Sequence, residues 1–257
     1  TESYHIKRST VSNGNFETVG TSNTNSYVDM DVMNDKTYYY KISAVNRVGE
    51  SGNSGSTSAK PTLGTSYYWP LNEAEGTFND VWNGKTATGT NITRIASGKF
   101  NGAVGFNGSN SYIKLPDNIT TALSSYSISF WMYLNNNSLW TRIFNFGTDN
   151  TNHLYITSKD DSGYLRYSIK YNNNAEQHLK TQKTINTDQW YHIAFTQTGN
   201  TGILYVNGEE VGRSTSLGYG ANSLGNTTNN YFGKPLSSDP YLNGRIDDIR
   251  IYDKVLT

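Results

Sequence analysis

Short stretches in which apolar and polar residues alternate run through the whole chain. Alternation with a period of two places apolar side chains on one face of a strand, whereas a helix needs them three or four positions apart. In Ser127–Leu134 the residues Ile, Phe, Met and Leu occupy every second position, and Trp190–Thr196 has a similar pattern. Gly, Asn and Asp separate these runs, and no amphipathic pattern extends over three helical turns. The pattern therefore predicts an all-β fold of many short strands.

Residues 65–257 contain the more numerous strand signals. The clear predicted strands are Tyr67–Leu71, Ala103–Phe106, Tyr112–Leu115, Ser127–Leu134, Arg142–Gly147, His153–Thr157, Leu165–Tyr171, Trp190–Thr196, Ile203–Val206 and Gly244–Tyr252. Two Asn-Gly pairs, Asn107–Gly108 and Asn207–Gly208, have the composition of tight type I′ hairpin turns. Many short strands joined by such turns predict an antiparallel jelly-roll sandwich of two sheets.

The composition changes near Lys60–Gly64, a short segment with Pro and Gly, and we place a domain boundary there. The preceding residues, 1–62, also alternate. Their predicted strands are Tyr4–Arg8, Phe16–Val19, Ser26–Asp29, Thr37–Asn46 and a last strand rich in Ser and Gly. The chain is thus expected to contain a small β domain at 1–62 and a larger one at 65–257.

The small domain resembles a fibronectin type III domain, an immunoglobulin-like sandwich. The matching residues are Thr37–Asn46, followed by Gly49-Glu50-Ser51 and a closing Lys60-Pro61. The resemblance implies that one of the adjacent tyrosines fixes a loop through its hydroxyl, and that about seven strands are needed. The match begins at the third of these strands. We therefore expect residues 1–62 to be a partial sandwich, completed by another polypeptide or by an upstream piece of the same precursor.

The large domain resembles the laminin G-like, concanavalin A-like lectin superfamily over essentially all of 65–257, with the motifs in the family's order. The matching segments are Tyr68–Glu73 with Gly76, Gly98–Val104, Phe106–Gly108, Ser127–Met132, Ile143–Gly147, Trp190–Phe195, Leu204–Gly208 and Gly244–Tyr252. The resemblance implies a jelly roll. It says little about function, because this fold hosts many activities.

Charge and composition exclude several classes of function. The 21 basic and 21 acidic residues balance, so the chain has no overall basic excess for phosphate backbones, and we expect no nucleic-acid partner. No run of 18 apolar residues predicts a membrane span. The absence of Cys excludes disulfides, thiol catalysis and thiolate metal sites. The start at Thr1 has no signal peptide, which suggests processing or a longer precursor. The polar, Asn-rich composition and the module types predict a secreted bacterial protein.

A search for catalytic groups favours a non-catalytic domain. Glycosidases of this superfamily carry paired carboxylates on one strand, and retaining hydrolysis needs them about 5–5.5 Å apart. The nearest pair here, Glu73 and Glu75, is predicted to lie in a turn, and the adjacent Asp247 and Asp248 should point to opposite faces of a strand. The four histidines have no metal-ligand spacing; they are His5, His153, His178 and His192.

A structural calcium ion is implied by the resemblance, because relatives often bind one where their first and last strands lie side by side. Calcium prefers carboxylate, amide and main-chain oxygens. The matching positions are Asn72, Glu73, Asn107 and Asp248. The alternatives are that Asn107 only shapes a turn and that Asp248 pairs with an arginine.

Sugar binding requires aromatic rings for stacking and planar polar groups for hydrogen bonds. Candidates on segments expected at the ligand-binding sheet and its loops are Trp140, Asp149, Tyr167, Tyr171, Glu176, His178, Tyr219 and Tyr231. Trp131 and Trp190 are expected in the core because they belong to the superfamily's strand motifs. The position of Trp82 is left open.

The two resemblances together imply a carbohydrate-binding module with a fibronectin type III spacer, attached to or associated with the catalytic region of a secreted glycoside hydrolase. Such a module raises the effective concentration of the enzyme at its polymer. A neutral plant cell-wall polysaccharide or oligosaccharide is the expected partner, because an acidic one would need a cluster of Arg and Lys. The alternatives are a cell-surface adhesion or protein-interaction module and a purely structural domain. The exposed residues of the ligand-binding sheet would distinguish the first two.

Overall fold

A computed structural model of the chain describes residues 2–29, 31–33, 36–61 and 66–256. The chain divides into two compact units, Thr1–Gly64 and Thr65–Thr257. Both consist of antiparallel strands, and one short 3-10 turn occurs at Ala221–Leu224. The predicted all-β class is therefore confirmed. In the described part of the chain, no helix has the length and apolarity needed to cross a membrane.

The first unit is a single five-stranded sheet. Its strands are β1 (Ser3–Ser9), β2 (Glu17–Ser22), β3 (Tyr38–Asn46), β4 (Gly49–Glu50) and β5 (Thr57–Ala59). They follow the order β2-β1-β3-β4, and β5 also pairs with β3. The strand predicted at Ser26–Asp29 does not form. Instead, the ring of Tyr27 lies over Gly20 of β2, and its hydroxyl donates a hydrogen bond to the carbonyl of Val19 at 2.8 Å.

The two faces of this sheet carry different residues near their centres. Ile6 and Ile42 are opposite each other on one face, whereas Lys7 forms an ion pair with Glu50 on the other. Among the described residues of this unit, only Ile6 and Tyr38 are buried hydrophobic side chains. Tyr38 accepts a hydrogen bond from the backbone N–H of Met33 at 2.9 Å, so one of the paired tyrosines does tie down a loop. The fibronectin type III assignment itself stays a prediction.

The second unit contains two eight-stranded sheets. Sheet I has the order β19-β18-β17-β12-β21-β10-β9, and β6 pairs with β21. Its strands are β6 (Tyr67–Trp69), β9 (Thr93–Phe100), β10 (Gly102–Asn107), β12 (Ser125–Leu134), β17 (Trp190–Thr198), β18 (Thr201–Val206), β19 (Glu209–Ser214) and β21 (Asn243–Tyr252). The first and last strands of the unit are therefore neighbours, as the resemblance implies.

Sheet II has the order β16-β15-β14-β13-β20-β11-β8-β7. Its strands are β7 (Thr77–Asn79), β8 (Thr86–Thr90), β11 (Tyr112–Lys114), β13 (Arg142–Asp149), β14 (Asn152–Thr157), β15 (Arg166–Lys170), β16 (Gln177–Lys180) and β20 (Asn229–Phe232). Each strand predicted in this unit overlaps a strand of one of the two sheets.

The core lies between the sheets and follows the period of two. On β12 the side chains of Tyr126, Ile128 and Phe130 are fully buried, and Phe130 meets Phe144 of sheet II with ring centroids 5.9 Å apart. Burying large apolar side chains of this kind stabilises the fold by about 1.5–3 kcal/mol each. The alternate residues of β12 point to the outer face of sheet I, where they are available for other roles.

The two Asn-Gly pairs behave differently. Asn207 and Gly208 both have positive φ angles, 54° and 83°, and join β18 to β19 as the predicted type I′ hairpin. The expectation of a second hairpin at Asn107–Gly108 is wrong, because β10 belongs to sheet I and β11 to sheet II. There the side-chain oxygen of Asn107 accepts backbone N–H bonds from the next residues, including Ser109 at 2.9 Å, and shapes a crossing between the sheets.

Candidate functional site

An open groove lies on the outer face of sheet I. Adjacent strands place Trp131 on β12 opposite His192 on β17, and Arg250 on β21 flanks the same face. The β9–β10 turn and the β18–β19 hairpin supply its walls. We call this the aromatic groove; its volume is about 580 Å³ and it is lined by Lys99, Phe100, Trp131, Trp190, His192, Asn207, Gly208, Asp248 and Arg250.

The aromatic rings of the groove are partly exposed. Phe100 is 49% exposed and meets the ring of Trp131 edge-on, with centroids 5.7 Å apart. The ammonium of Lys99 lies 4.3 Å from the Trp131 ring, and His192 contacts that ring at 5.2 Å. The expectation that Trp131 and Trp190 lie in the core is wrong, because both occupy the outward-facing positions of their strands.

A bulge in β21 shapes the floor of the groove. Between the pairs Arg250–Ser129 and Asp247–Trp131, two residues of β21 face one residue of β12, and Asp248 adopts a φ of 56°. This conformation turns Asp248 into the groove, where its carboxylate lies 3.1 Å from Arg250. An extra residue on one strand commonly redirects a side chain in this way.

Asp247, the neighbouring residue, is fully buried beneath the groove. Its Oδ2 accepts the backbone N–H of Phe100 at 2.8 Å, whereas Oδ1 has no hydrogen-bond partner. Burial raises the pKa of Asp247 to about 6. The carboxyl of Asp247 therefore positions the β9–β10 turn, which supplies Phe100 to the groove.

Further aromatic residues continue from the groove on both sides. Tyr133 lies beside Trp190, with ring centroids 5.7 Å apart. On the other side the guanidinium of Arg250 lies 4.5 Å from the ring of Tyr68, and Trp82 contacts Tyr68 at 5.3 Å. Trp82, whose position the sequence left open, is a partly exposed surface residue.

Several predicted sugar ligands lie on the outer face of sheet II. Trp140, with a φ of 59°, places its ring 5.7 Å from the guanidinium of Arg142 and 5.2 Å from that of Arg166, and its indole N–H donates to Asp161 at 2.8 Å. Glu176 contacts Arg166 and accepts the Tyr155 hydroxyl at 2.7 Å. His178 and Tyr231 also belong to strands of this sheet.

Beneath Trp140 the polar groups of this face are closed off from solvent. Arg142 is 5% exposed, stacks 3.7 Å from the ring of Tyr155 and pairs with Asp239 at 2.6 Å. His153 is 4% exposed, and burial, with the nearby positive charge of Arg142, lowers its pKa to about 4. A ligand could therefore reach Arg142 only by displacing its ion pair with Asp239.

The remaining predicted ligands are scattered. Tyr167 is fully buried; its hydroxyl bonds to Tyr126 at 2.9 Å and its ring stacks on Phe195, so it cannot contact a ligand and the prediction for this residue is wrong. Asp149 accepts N–H bonds within the β13–β14 turn. Tyr171 and Tyr219 contact each other, with centroids 5.2 Å apart, and are partly buried against the core.

The four predicted calcium ligands do not gather at one place. Asn107 pairs with Asn243 at the start of β21, and Asp248 lies five residues further along that strand, about 17 Å away at about 3.4 Å per residue. Asn72 accepts the N–H of Gly102 at 2.8 Å. Glu73 accepts the N–H of Asn79 with one carboxylate oxygen, and its other oxygen is buried without a hydrogen-bond partner.

No group of three acidic or histidine side chains suited to a metal occurs among the described residues. Calcium binding stays a prediction, without the shared site that the sequence suggested.

A guanidinium group supplies positive charge close to Asn72. The side chain of Arg94 donates hydrogen bonds of 2.9–3.3 Å to four main-chain carbonyls, of Leu71, Asn72, Ile95 and Ala103. Main-chain carbonyls are among the ligands that calcium uses. A Cβ atom at Gly102 would lie 1.7 Å from this guanidinium, so a larger residue there would displace Arg94 from its carbonyls.

Comparison with known proteins places the second unit in a family. Residues 107–257 match the profile of the concanavalin A-like lectin/glucanases superfamily. The chain belongs to this superfamily. No protein of curated function gives a significant match.

Three solved structures have folds similar to that of this chain. Domain 4 of AbnA, a GH43 extracellular arabinanase from Geobacillus stearothermophilus in complex with arabinotriose, is 22% identical, with a TM-score of 0.61 over 74% of this chain and 93% of that domain. Trypanosoma rangeli sialidase, in a structure with sialic acid, is 14% identical, with a TM-score of 0.57 over 88% of this chain and 42% of the sialidase. The binding domain of botulinum neurotoxin DC, in complex with rat synaptotagmin II, is 18% identical, with a TM-score of 0.56 over 75% of this chain and 49% of the neurotoxin chain.

The chain spans less than half of the sialidase and neurotoxin chains, and at these identities the similarity establishes the fold alone. The superfamily's description covers both lectins and glucanases, so membership by itself leaves binding and hydrolysis open. In this member, two acidic residues at the outer face of sheet II form ion pairs with arginines: Glu176 with Arg166 and Asp239 with Arg142.

Proposed function

We propose that the second unit binds carbohydrate through the aromatic groove and does not hydrolyse it. The observation that carries this proposal is an open groove in which partly exposed Trp131, Trp190 and Phe100 lie beside Asn207 and Asp248. The rings provide apolar surface for the C–H faces of a sugar, and the exposed amide of Asn207 provides hydrogen bonds to its hydroxyls.

The environments of the two carboxylates at the groove, Asp247 and Asp248, support the absence of hydrolysis. Glycoside hydrolysis typically needs two available carboxyl groups, one as general acid and the other as nucleophile or as general base for water. Within the groove, Asp248 is 3.1 Å from Arg250, and the adjacent Asp247 is fully buried beneath the β9–β10 turn. Similarity to a domain of an arabinanase that holds arabinotriose also fits an accessory binding role.

The biological role that we propose is targeting. The groove would hold a secreted bacterial glycoside hydrolase on its polysaccharide, with the first unit serving as a fibronectin type III spacer. A neutral plant cell-wall glycan is the proposed ligand, and arabinan is the first to test. Because a shallow site offers few desolvated contacts, we expect a free energy of binding of about −4 to −7 kcal/mol, which corresponds to millimolar to ten-micromolar affinity.

Two alternatives are retained for the test. The groove carries Lys99 and Arg250 as well as Asp248, which would favour an acidic glycan if the neutral ones fail. An adhesion or protein-interaction role remains the alternative function, and the neurotoxin domain, which was solved with synaptotagmin II, is a structurally similar domain with a protein partner.

Calorimetry against arabinan, xylan, glucan, mannan and pectin tests the proposal. We expect binding to at least one of the neutral polymers, and a loss of at least tenfold in affinity for Trp190→Ala with an unchanged melting temperature. Trp140→Ala is the matched control on sheet II. Loss of binding in Trp140→Ala alone would move the site to that sheet, and release of reducing sugar would overturn the non-catalytic assignment. A lack of binding across all polymers would favour adhesion.

A further inference from the structure

The aromatic groove belongs to a longer row of rings on the outer face of sheet I. Trp190 lies at one end. In the wall of the groove, the guanidinium of Arg250 lies 4.5 Å from the ring of Tyr68. Trp82 then contacts both Tyr68 and Tyr252, in each case with ring centroids 5.3 Å apart. We call this row from Trp190 to Tyr252, in which Arg250 lies between the rings of the groove and Tyr68, the aromatic stripe.

Strand register gives the dimensions of the stripe. Tyr133 of β12 pairs with Trp190, and six residues away on the same strand Ser127 pairs with Tyr252. Six residues at about 3.4 Å each extend about 20 Å along the strands, and the three strand spacings from β17 to β6 add about 14 Å across them. The stripe is therefore several sugar rings long, which is more than one terminal sugar needs.

The polar groups are arranged for a chain that passes along the surface. Asn207 lies on one wall of the groove, in a hairpin turn, and Asp248 lies in the bulged floor. Small ligands that are enclosed as a whole are usually held in concave pockets with a few convergent polar groups. Here the polar groups flank a row in which Trp190, Trp131 and Trp82 are each partly exposed.

Building on the carbohydrate-binding function proposed above, we propose that the aromatic stripe binds an internal stretch of about four or more consecutive sugar residues of a polysaccharide, and not a chain end. Trp190 and Trp131 contact the residues in the groove, and Trp82 contacts a residue further along the chain. Each additional residue that reaches a ring adds apolar contact, and the gain stops when the stripe is filled.

Calorimetry with arabino-oligosaccharides from dimer to hexamer, and with cello-oligosaccharides as a second series, tests this inference. We expect affinity to rise at least tenfold from dimer to pentamer in the series that binds. Trp82→Ala should weaken binding of the pentamer at least threefold and leave the dimer unchanged, whereas Trp190→Ala should weaken both. The control is Tyr205→Ala, an outward-facing tyrosine on β18 outside the stripe, which should change neither affinity.

The outcomes separate the inference from the function on which it rests. If oligosaccharides bind with the same affinity at every length, or if Trp82→Ala binds the pentamer as the wild type does, the extended site is wrong and the groove remains a sugar site. If Trp190→Ala binds every length as the wild type does, or if no oligosaccharide or polysaccharide binds, the proposed function fails as well. Melting temperatures of all three variants within about 2 °C of the wild type would establish that the folds are intact.

Discussion

Replacing Asp247 by Asn should stabilise the second unit increasingly as the pH rises. The carboxyl is fully buried, and its pKa of about 6 in the folded chain compares with 3.8 for the exposed group. The folded chain therefore keeps this proton at pH values where the unfolded chain has released it. Ionisation of Asp247 consequently costs stability as the pH rises from about 4 to 6, and the whole cost is present above pH 6.

The size of the effect follows from the pKa difference. A difference of about two pKa units corresponds to about 3 kcal/mol, at about 1.4 kcal/mol per unit. Asn keeps an oxygen that can accept the N–H of Phe100, and it introduces an amide N–H₂ whose cost is the same at every pH. The measurable quantity is therefore the change in the variant's relative stability between pH 4 and pH 7.5, which we expect to be about 2–3 kcal/mol in favour of Asn.

Urea unfolding followed by tryptophan fluorescence is the appropriate assay, because all five Trp residues lie in the second unit. The matched control is Asp248→Asn. Asp248 is the adjacent residue, and removal of its charge deprives Arg250 of its partner, so this variant should be less stable than the wild type at pH 7.5. An Asp247→Asn variant whose relative stability is the same at pH 4 and pH 7.5 would refute the reasoning.

Three further changes test other parts of the structure. Arg94→Ala should reduce the free energy of unfolding by more than about 2 kcal/mol because four carbonyls lose a charged donor, and a variant as stable as the wild type would contradict this role. Bound calcium, which stays a prediction, should show itself separately as a fall in the melting temperature on addition of EDTA. Tyr167→Phe should lower the free energy of unfolding by about 1 kcal/mol, because the hydrogen bond to Tyr126 is lost, and should leave glycan affinity unchanged. Weaker glycan binding by this variant would instead indicate that Tyr167 contacts the glycan. Because burial keeps His153 neutral with a pKa of about 4, stability should fall as the pH drops from 6.5 to 4, and His153→Gln should reduce this dependence; an identical pH profile would contradict the assignment.

The positions of ten strands of the second unit along the chain could be predicted from the sequence because the alternation of apolar and polar residues is a local property. Ile128 and Phe130 occupy the alternate apolar positions of a predicted strand, and both are fully buried. The same alternation places Trp131 on the opposite face of β12, so the partial exposure of its side chain follows from its position in the strand. Membership in a family motif is therefore a poorer guide to the burial of Trp131 than its position in the alternation.

The assembly of the groove could not be predicted in the same way. Phe100 and Arg250 are brought together by the pairing of β21 with β10 and β12, which is a long-range feature of the fold. The bulge that turns Asp248 into the groove depends on a positive φ that no local sequence signal marks. The four carbonyls around Arg94 come from three separate segments, and the sequence does not mark them because every residue type has a main-chain carbonyl.

A two-dimensional ¹H–¹⁵N spectrum of the tryptophan indoles, titrated with arabinotriose and then with other oligosaccharides, tests the central claim most directly. The five indoles report on the groove (Trp131 and Trp190), the far end of the stripe (Trp82), sheet II (Trp140) and the core (Trp69). We predict that the signals of Trp131 and Trp190 shift on binding, while those of Trp140 and Trp69 stay in place. A shift confined to Trp140, or binding that leaves all five signals unmoved, would contradict a sugar site in the aromatic groove.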